Sequence, residues 1–376
     1  MGLFATQPFT AVYAIGAIGF ELARIPLWLV KYVTRYGRQH PEWTFRQAIG
    51  VRLFFSAIYH LASVQVHTKL SLSPGEEKER FVVIKKAVDG VYKGPLAANE
   101  DVKPAHVGAS WYPAPLTPSS DTSSAIVVLH LHGGAYVVND GRTKNFGYSA
   151  KKLLKYGRAT HVLAPSYRLS SLPASKTSNP FPAALQDCLT AYIYLVKDLK
   201  IAPSNIILSG DSAGGNAAIS IIRYLTEFGP ELDIPSPAAG WLWSPWVQPS
   251  ESVTDDFTRN NPNYKTDVLS FPFTDWGARA YAGTAGFSIL SSPYISHIGK
   301  PFKTEVPLWV HTGGAEVLYF DDCKFAEEMK SVGNNVTLDV DKYAPHDILL
   351  MPQLGFDKEF TGAAKRAGEW FRTVRK

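Results

Sequence analysis

Five residues, Gly210-Asp211-Ser212-Ala213-Gly214, constrain this chain more than any other stretch. The apolar run Ile206–Ser209 leads into them as a strand, and Ala213–Leu225 leads out as a helix. A serine wedged between strand and helix must sit on a tight, strained turn. Small residues two before and two after it let the neighbouring chain pass without Cβ clashes. Such a turn lifts the Ser212 hydroxyl to the carboxyl edge of a parallel sheet and aims the helix's positive end at it. A dinucleotide-binding fingerprint fails, because Ser212 stands where the second glycine belongs, and no Gly-Lys-Ser/Thr follows to make a phosphate loop.

The same rhythm surrounds the turn. Ala125–Leu131, His161–Ala164, Gly240–Trp243, Pro307–Thr312 and Val336–Val340 read as strands. Pro182–Lys200, Asp321–Val332 and Leu354–Thr373 read as helices. Strand–helix alternation predicts an α/β fold with a mainly parallel central sheet flanked by helices. Residues 250–300 break the rhythm with Asn, Pro, Thr and Ser and read as a cap insertion. The expected organisation is 1–65 as hydrophobic N-terminal helices, 66–104 as a linker leading into the sheet, and 105–376 as the catalytic domain. Of 376 residues 45% are hydrophobic and 19% charged, which excludes disorder as the main state. A formal charge of +5 is too mild for a nucleic-acid binder. Two cysteines, Cys188 and Cys323, make neither a disulfide framework nor a zinc spacing.

A serine at this position suits acyl transfer if a base, an acid and oxyanion donors accompany it. His132-Gly133-Gly134-Ala135-Tyr136 follows a strand, and its glycines let backbone amides turn inward. The Gly133, Gly134 and Ala213 amides are the expected oxyanion donors. His132 is expected to order the glycine loop; a metal pair with His130 lacks a third ligand cluster, so no metal is expected. The base is expected at His346, in a loop beyond the last strand near the chain's end. His311 falls inside an apolar strand and reads as a core residue, and His297 lies in the irregular insertion. Glu316 follows directly on a strand's carboxyl end and is the expected acid, with Asp321 second. Trp241, Trp243, Trp246 and the aromatic segment 264–281 are candidates for an apolar substrate pocket, with core packing an equal reading for the first two.

The first sixty residues differ in character. Phe9 to Val33 is long enough to span a bilayer, at roughly 20 apolar residues needed, although Glu21 and Arg24 interrupt it. Trp43 to Ala62 reads as an amphipathic helix with Phe45, Ile49, Leu53 and Leu61 at four-residue steps. The pair reads either as a membrane anchor or as a cap over an apolar site. If residues 9–33 span, the basic residues at and beyond their end (Lys31, Arg35, Arg38) place the rest in the cytosol. The sequon Asn335-Val336-Thr337 keeps a lumenal side, such as that of the endoplasmic reticulum, open.

With these motifs assembled, residues 105–376 resemble the hormone-sensitive-lipase-like branch of the α/β-hydrolases. HGGAY at 132–136 is similar to its oxyanion signature and GDSAGG at 210–215 to its nucleophile elbow. Tyr167-Arg168-Leu169 with Phe181-Pro182-Ala183-Ala184-Leu185-Gln186-Asp187, and Ser244-Pro245-Trp246, match further blocks. The resemblance implies that Arg168 and Asp187 brace the loop, that no cofactor is used, and that the substrate is an ester of a hydrophobic alcohol, often acetylated. The N-terminal region resembles that of membrane-anchored fungal esterases, steryl-acetate hydrolases and secondary-metabolite hydrolases among them. Two departures stand out: Glu316 replaces the usual aspartate, as in some fungal members, and HGGA replaces HGGG. Two other functions remain open. One is a non-hydrolytic cyclisation or condensation of a polyketide-like intermediate, using the same base and oxyanion donors. The other is a ligand-binding protein on a retired hydrolase scaffold.

Overall fold

The computed structural model describes residues 3–88, 90–254, 259–350 and 354–375. An eight-stranded sheet runs in the order β1-β2-β4-β3-β5-β6-β7-β8. The strands are β1 (Phe81–Ile84), β2 (Val107–Tyr112), β3 (Val127–Leu131), β4 (His161–Ser166), β5 (Ile206–Asp211), β6 (Ala239–Trp243), β7 (Leu308–Gly313) and β8 (Val336–Asp341). β2 pairs antiparallel with β1 and β4, and every pairing from β4 to β8 is parallel. β1 and β2 escape a pattern-based reading: the first has four residues, and VGASWY in the second lacks the apolar run that marks the parallel strands.

The inner parallel strands β3, β5 and β6 are buried on both faces, which is why they read as continuous apolar runs. On one side lie α4 (Ala183–Ile193) and α5 (Ala213–Leu232). On the other lie α3 (Thr143–Lys155) and the C-terminal helix, whose Phe360 and Phe371 pack on Trp241, Trp243 and Trp309. These tryptophans are core residues and line no part of the cavity described below, and neither does Trp246. The segment 264–281 does contribute, through Val268, Leu269 and Phe273. Residues 255–258 of the expected insertion lie outside the described residues. The remainder includes a helix at Phe271–Ala282.

Two N-terminal helices complete the cap side. α1 spans Phe9–Val33 and α2 spans Phe45–Ser63. α2 starts on a capping box: the Gln47 amide donates to Thr44 Oγ1 at 3.2 Å, and the Thr44 amide donates to Gln47 Oε1 at 2.8 Å. α1 ends where Arg38 donates to the Tyr32, Val33 and Trp43 carbonyls, satisfying acceptors that a helix end leaves open. The buried side of α2 differs from the expected stripe. Phe45 and Leu53 are exposed, while Phe54, Ile58 and Leu61 turn toward the cavity and Ala48 and Val51 toward the core. Periodicity alone cannot say which of two apolar stripes a helix buries.

The sheet and the serine turn meet with almost no clearance. A Cβ on Gly214 would lie 1.9 Å from the Leu131 carbonyl oxygen, and one on Gly210 would lie 2.2 Å from the Gly214 oxygen. Gly214→Ala should therefore cost at least about 1–3 kcal/mol through forced backbone movement. Gly16→Ala, where nothing lies within 4 Å, should be neutral or stabilising. Thermal unfolding followed by circular dichroism compares the two.

Candidate active site

Ser212 leaves β5 with φ +50° and ψ −116°, a conformation that L-residues rarely adopt. The turn is held from both sides: the Ser212 amide donates to the Trp243 carbonyl at 2.9 Å, and its carbonyl accepts from Trp246 at 2.9 Å. Its hydroxyl lies 3.0 Å from His346 Nε2. The other ring nitrogen, Nδ1, lies 3.2 Å from Glu316 Oε2. Thr312 Oγ1 donates to the remaining Glu316 oxygen. All three residues are buried, and Ser212 and His346 line a cavity of about 360 Å³.

The surroundings set the proton affinities. Burial works against the His346 cation, but the hydrogen bond and charge of Glu316, with Asp267 and Asp211 beyond, outweigh it and raise the pKa above 6.5. Burial likewise opposes a charged Glu316, yet His346 and Thr312 hold its carboxyl below the usual range. The other candidates go elsewhere. His311 Nε2 pairs with Asp341 at 2.9 Å. His297 meets the Pro293 carbonyl and Asn216, and burial pushes its pKa down to about 3. Asp321 has one buried oxygen without a partner and no bond to His346.

One expected oxyanion donor is committed elsewhere. The Gly133 amide donates to Asp211 Oδ2 at 2.8 Å. The chain then turns left-handed through Gly134, Ala135 and Tyr136, at φ +109°, +51° and +63°. Among the described residues the Gly134, Ala135 and Ala213 amides make no hydrogen bond, so the open donor after Gly134 is Ala135 rather than Gly133. Side-chain spacing gave no warning, because amide direction depends on the φ of this turn. His132 stacks on Tyr167 with ring centroids 4.0 Å apart, and its Nδ1 reaches the Gly133 carbonyl at 2.8 Å. His130 Nε2 reaches Asp211 at 2.9 Å, so the two rings share no ligand position. Arg168 grips Asp187 through Nε at 3.0 Å and Nη2 at 2.8 Å, and donates to the Lys103 carbonyl.

Two buried acids near the site carry no sequence signal. Asp267 accepts from the His346 amide at 2.9 Å and the Val317 amide at 2.6 Å, tying the His346 loop to the Glu316 loop. Asp322 lies behind Glu316, where burial and that neighbouring charge push its carboxyl well up.

The profile of the α/β hydrolase fold family matches residues 128–350. The chain belongs to that family. Within it the chain is hormone-sensitive-lipase-like. It is 27% identical over 266 residues to an acetyl-hydrolase of Streptomyces hygroscopicus, covering 70% of this chain and 80% of that protein. It is 29% identical over 258 residues to the esterase LipU of Mycobacterium tuberculosis, covering 66% and 74%. The crystal structure of an esterase from the bacterial hormone-sensitive lipase family superposes with a TM-score of 0.62 at 22% identity, covering 89% of this chain and 99% of that one. That likeness is one of fold.

If His346 acts as a base, its neutral form is the active one, and activity falls as pH drops through its raised pKa. The acid limb of kcat/KM should lie above pH 6.5. Glu316→Gln should move that limb down and lower kcat by about 10²–10⁴-fold. A pH–rate profile of both proteins measures the shift.

Proposed function

We propose that this ester-hydrolysing enzyme works through Ser212, His346 and Glu316 on short-acyl esters of hydrophobic alcohols. The observation that carries the mechanism is the Ser212–His346–Glu316 chain of contacts, at 3.0 and 3.2 Å, opening into the cavity. Ser212 attacks the ester carbonyl while His346 Nε2 takes its proton. Glu316 fixes the ring so that Nδ1 keeps its hydrogen, and stabilises the cation that forms. The Gly134, Ala135 and Ala213 amides receive the oxyanion. His346 then protonates the departing alcohol, and water releases the acyl group from Ser212 by the same steps in reverse.

The cavity supports an apolar substrate. Phe54, Ile58 and Leu61 come from α2, Val268, Leu269 and Phe273 from the cap segment, and Leu349 and Leu350 from the base loop. Acetyl-hydrolase activity in the Streptomyces relative supports a small acyl group.

The N-terminal unit supports a lipid-facing role. Polar groups of α1 are satisfied by α2: Tyr13 meets His60 Nδ1 at 2.8 Å and Glu21 meets His60 Nε2 at 3.0 Å. Arg52 of α2 lies over the Trp28 ring. The opposite face of α1 exposes Val12, Ile15, Ile18, Leu27 and Val30, with Ile15 at 74% and Val30 at 77%. A helix tied to α2 at Tyr13, Glu21 and Trp28, with a bare apolar face, suits the membrane interface better than a free span.

Purified protein should hydrolyse p-nitrophenyl acetate faster than the decanoate, and Ser212→Ala should lose at least about 10⁴-fold in kcat. Turnover surviving in Ser212→Ala would sink the mechanism. Wild type should float with phospholipid vesicles, and the double variant Ile15→Glu, Val30→Glu should stay in the soluble fraction with its p-nitrophenyl acetate activity intact. Equal flotation of the two would refute the lipid-facing role.

A further inference from the structure

Asp347 follows His346 directly, and the mechanism above gives it nothing to do. It is 1% exposed, lines the cavity beside Ser212 and His346, and holds φ +60°. Neither of its carboxyl oxygens meets a donor in hydrogen-bond geometry. Its side-chain neighbour is another acid, Asp211, the residue before Ser212. Asp211 already accepts two bonds, from His130 Nε2 at 2.9 Å on Oδ1 and from the Gly133 amide at 2.8 Å on Oδ2. Two buried carboxyl groups in contact cannot both ionise at tolerable cost; one keeps a proton and gives it to the other. Asp211, with donors on both oxygens, is the natural carboxylate, and Asp347, with none, is the natural acid.

We propose that Asp347 is a neutral positioning residue whose hydroxyl donates to Asp211, clasping the His346 loop to the serine turn and to the oxyanion loop. The clasp joins three chain segments at one carboxylate. Asp211 ends β5 and precedes Ser212; it holds the Gly133 amide of the oxyanion loop; and it accepts from Asp347 of the base loop. The backbone of that loop is anchored separately, with the Asp347 amide donating to Ser244 Oγ at 3.3 Å and the His346 amide to Asp267. Other charged groups around the pair agree with the assignment. Burial, then Asp211 and Glu316, push the Asp347 carboxyl well up, and the nearby Leu349 amide, outside hydrogen-bond geometry, offsets this only in part. Burial opposes charge on Asp211 too, but His130, Asp347 and His132 hold its carboxyl down. Lys144 on α3 is the cation among the described cavity-lining residues, and it is absent from the interactions that set either acid's affinity.

The inference rests on the Ser212–His346 mechanism, so Ser212→Ala is run beside it; loss there with no effect at Asp347 separates failure of the clasp from failure of the mechanism. Asp347→Asn retains an N–H donor for Asp211 and tolerates positive φ. Asp347→Gly removes the side chain without straining the backbone. The glycine variant should lose about tenfold or more in kcat with KM changed less than about threefold, and the asparagine variant should recover most of that loss. As pH rises, ionisation of Asp347 would set two carboxylates against each other, so wild-type kcat should fall on an alkaline limb that Asp347→Asn lacks. An asparagine variant as slow as the glycine variant, or a glycine variant at wild-type kcat, overturns the proposal. If Asp347→Gly does not fold, the pH profile of Asp347→Asn decides alone, and an unchanged alkaline limb refutes the clasp.

Discussion

Two backbones passing at contact distance make the site possible: the end of β3, and the turn from β5 into α5. At Gly214 the Leu131 carbonyl occupies the space a side chain would need, and at Gly210 the turn's own backbone does. Only because they pass so closely can the glycine loop after β3 lie beside the Ser212 turn. The strain at Ser212, with φ +50°, is held by backbone bonds to Trp243 and Trp246 from the strand next door. Sheet order is thus part of the site's geometry, since the end of β6 supplies a restraint on the residue that follows β5.

Around the one imidazole stand five buried acids: Asp211, Asp267, Glu316, Asp322 and Asp347. In a low-dielectric interior such a crowd is tolerable only if the charges are few and well satisfied. The structure separates them by partner. Asp211 and Glu316 collect donors and stay low, while Asp322 and Asp347 face other acids and are pushed up. Asp267, held by backbone amides, lies between at about 6. The same grouping raises His346, whose cation is favoured by Glu316, Asp267 and Asp211, residues from three separate segments.

The helix α2 stands between two apolar environments. One side meets α1, through the His60 and Arg52 contacts, and another closes the cavity with Phe54, Ile58 and Leu61. The cavity wall is thus built in part from residues far in sequence from Ser212 and His346, where α2 packs on the 271–282 helix.

The sequence alone was enough for the parallel sheet, and it named Ser212, His346 and Glu316, three residues that the structure brings into contact. Each of these is a local matter: buried strands read as apolar runs, a serine turn needs small residues at fixed offsets, and chain order along a doubly covered sheet limits which loops can meet. It also set His311 and His297 apart from His346, and the structure pairs both of those rings elsewhere. Tertiary structure decided the rest, because the rest depends on direction and on contacts across the chain. Whether the Gly133 or the Ala135 amide is open follows from three left-handed residues and from Asp211, seventy-eight positions away. Asp267, Asp322 and Asp347 belong to no motif; their roles exist only where burial brings them against His346, Glu316 and Asp211. The face of α2 that closes the cavity was fixed in the same way, by which neighbour the helix found.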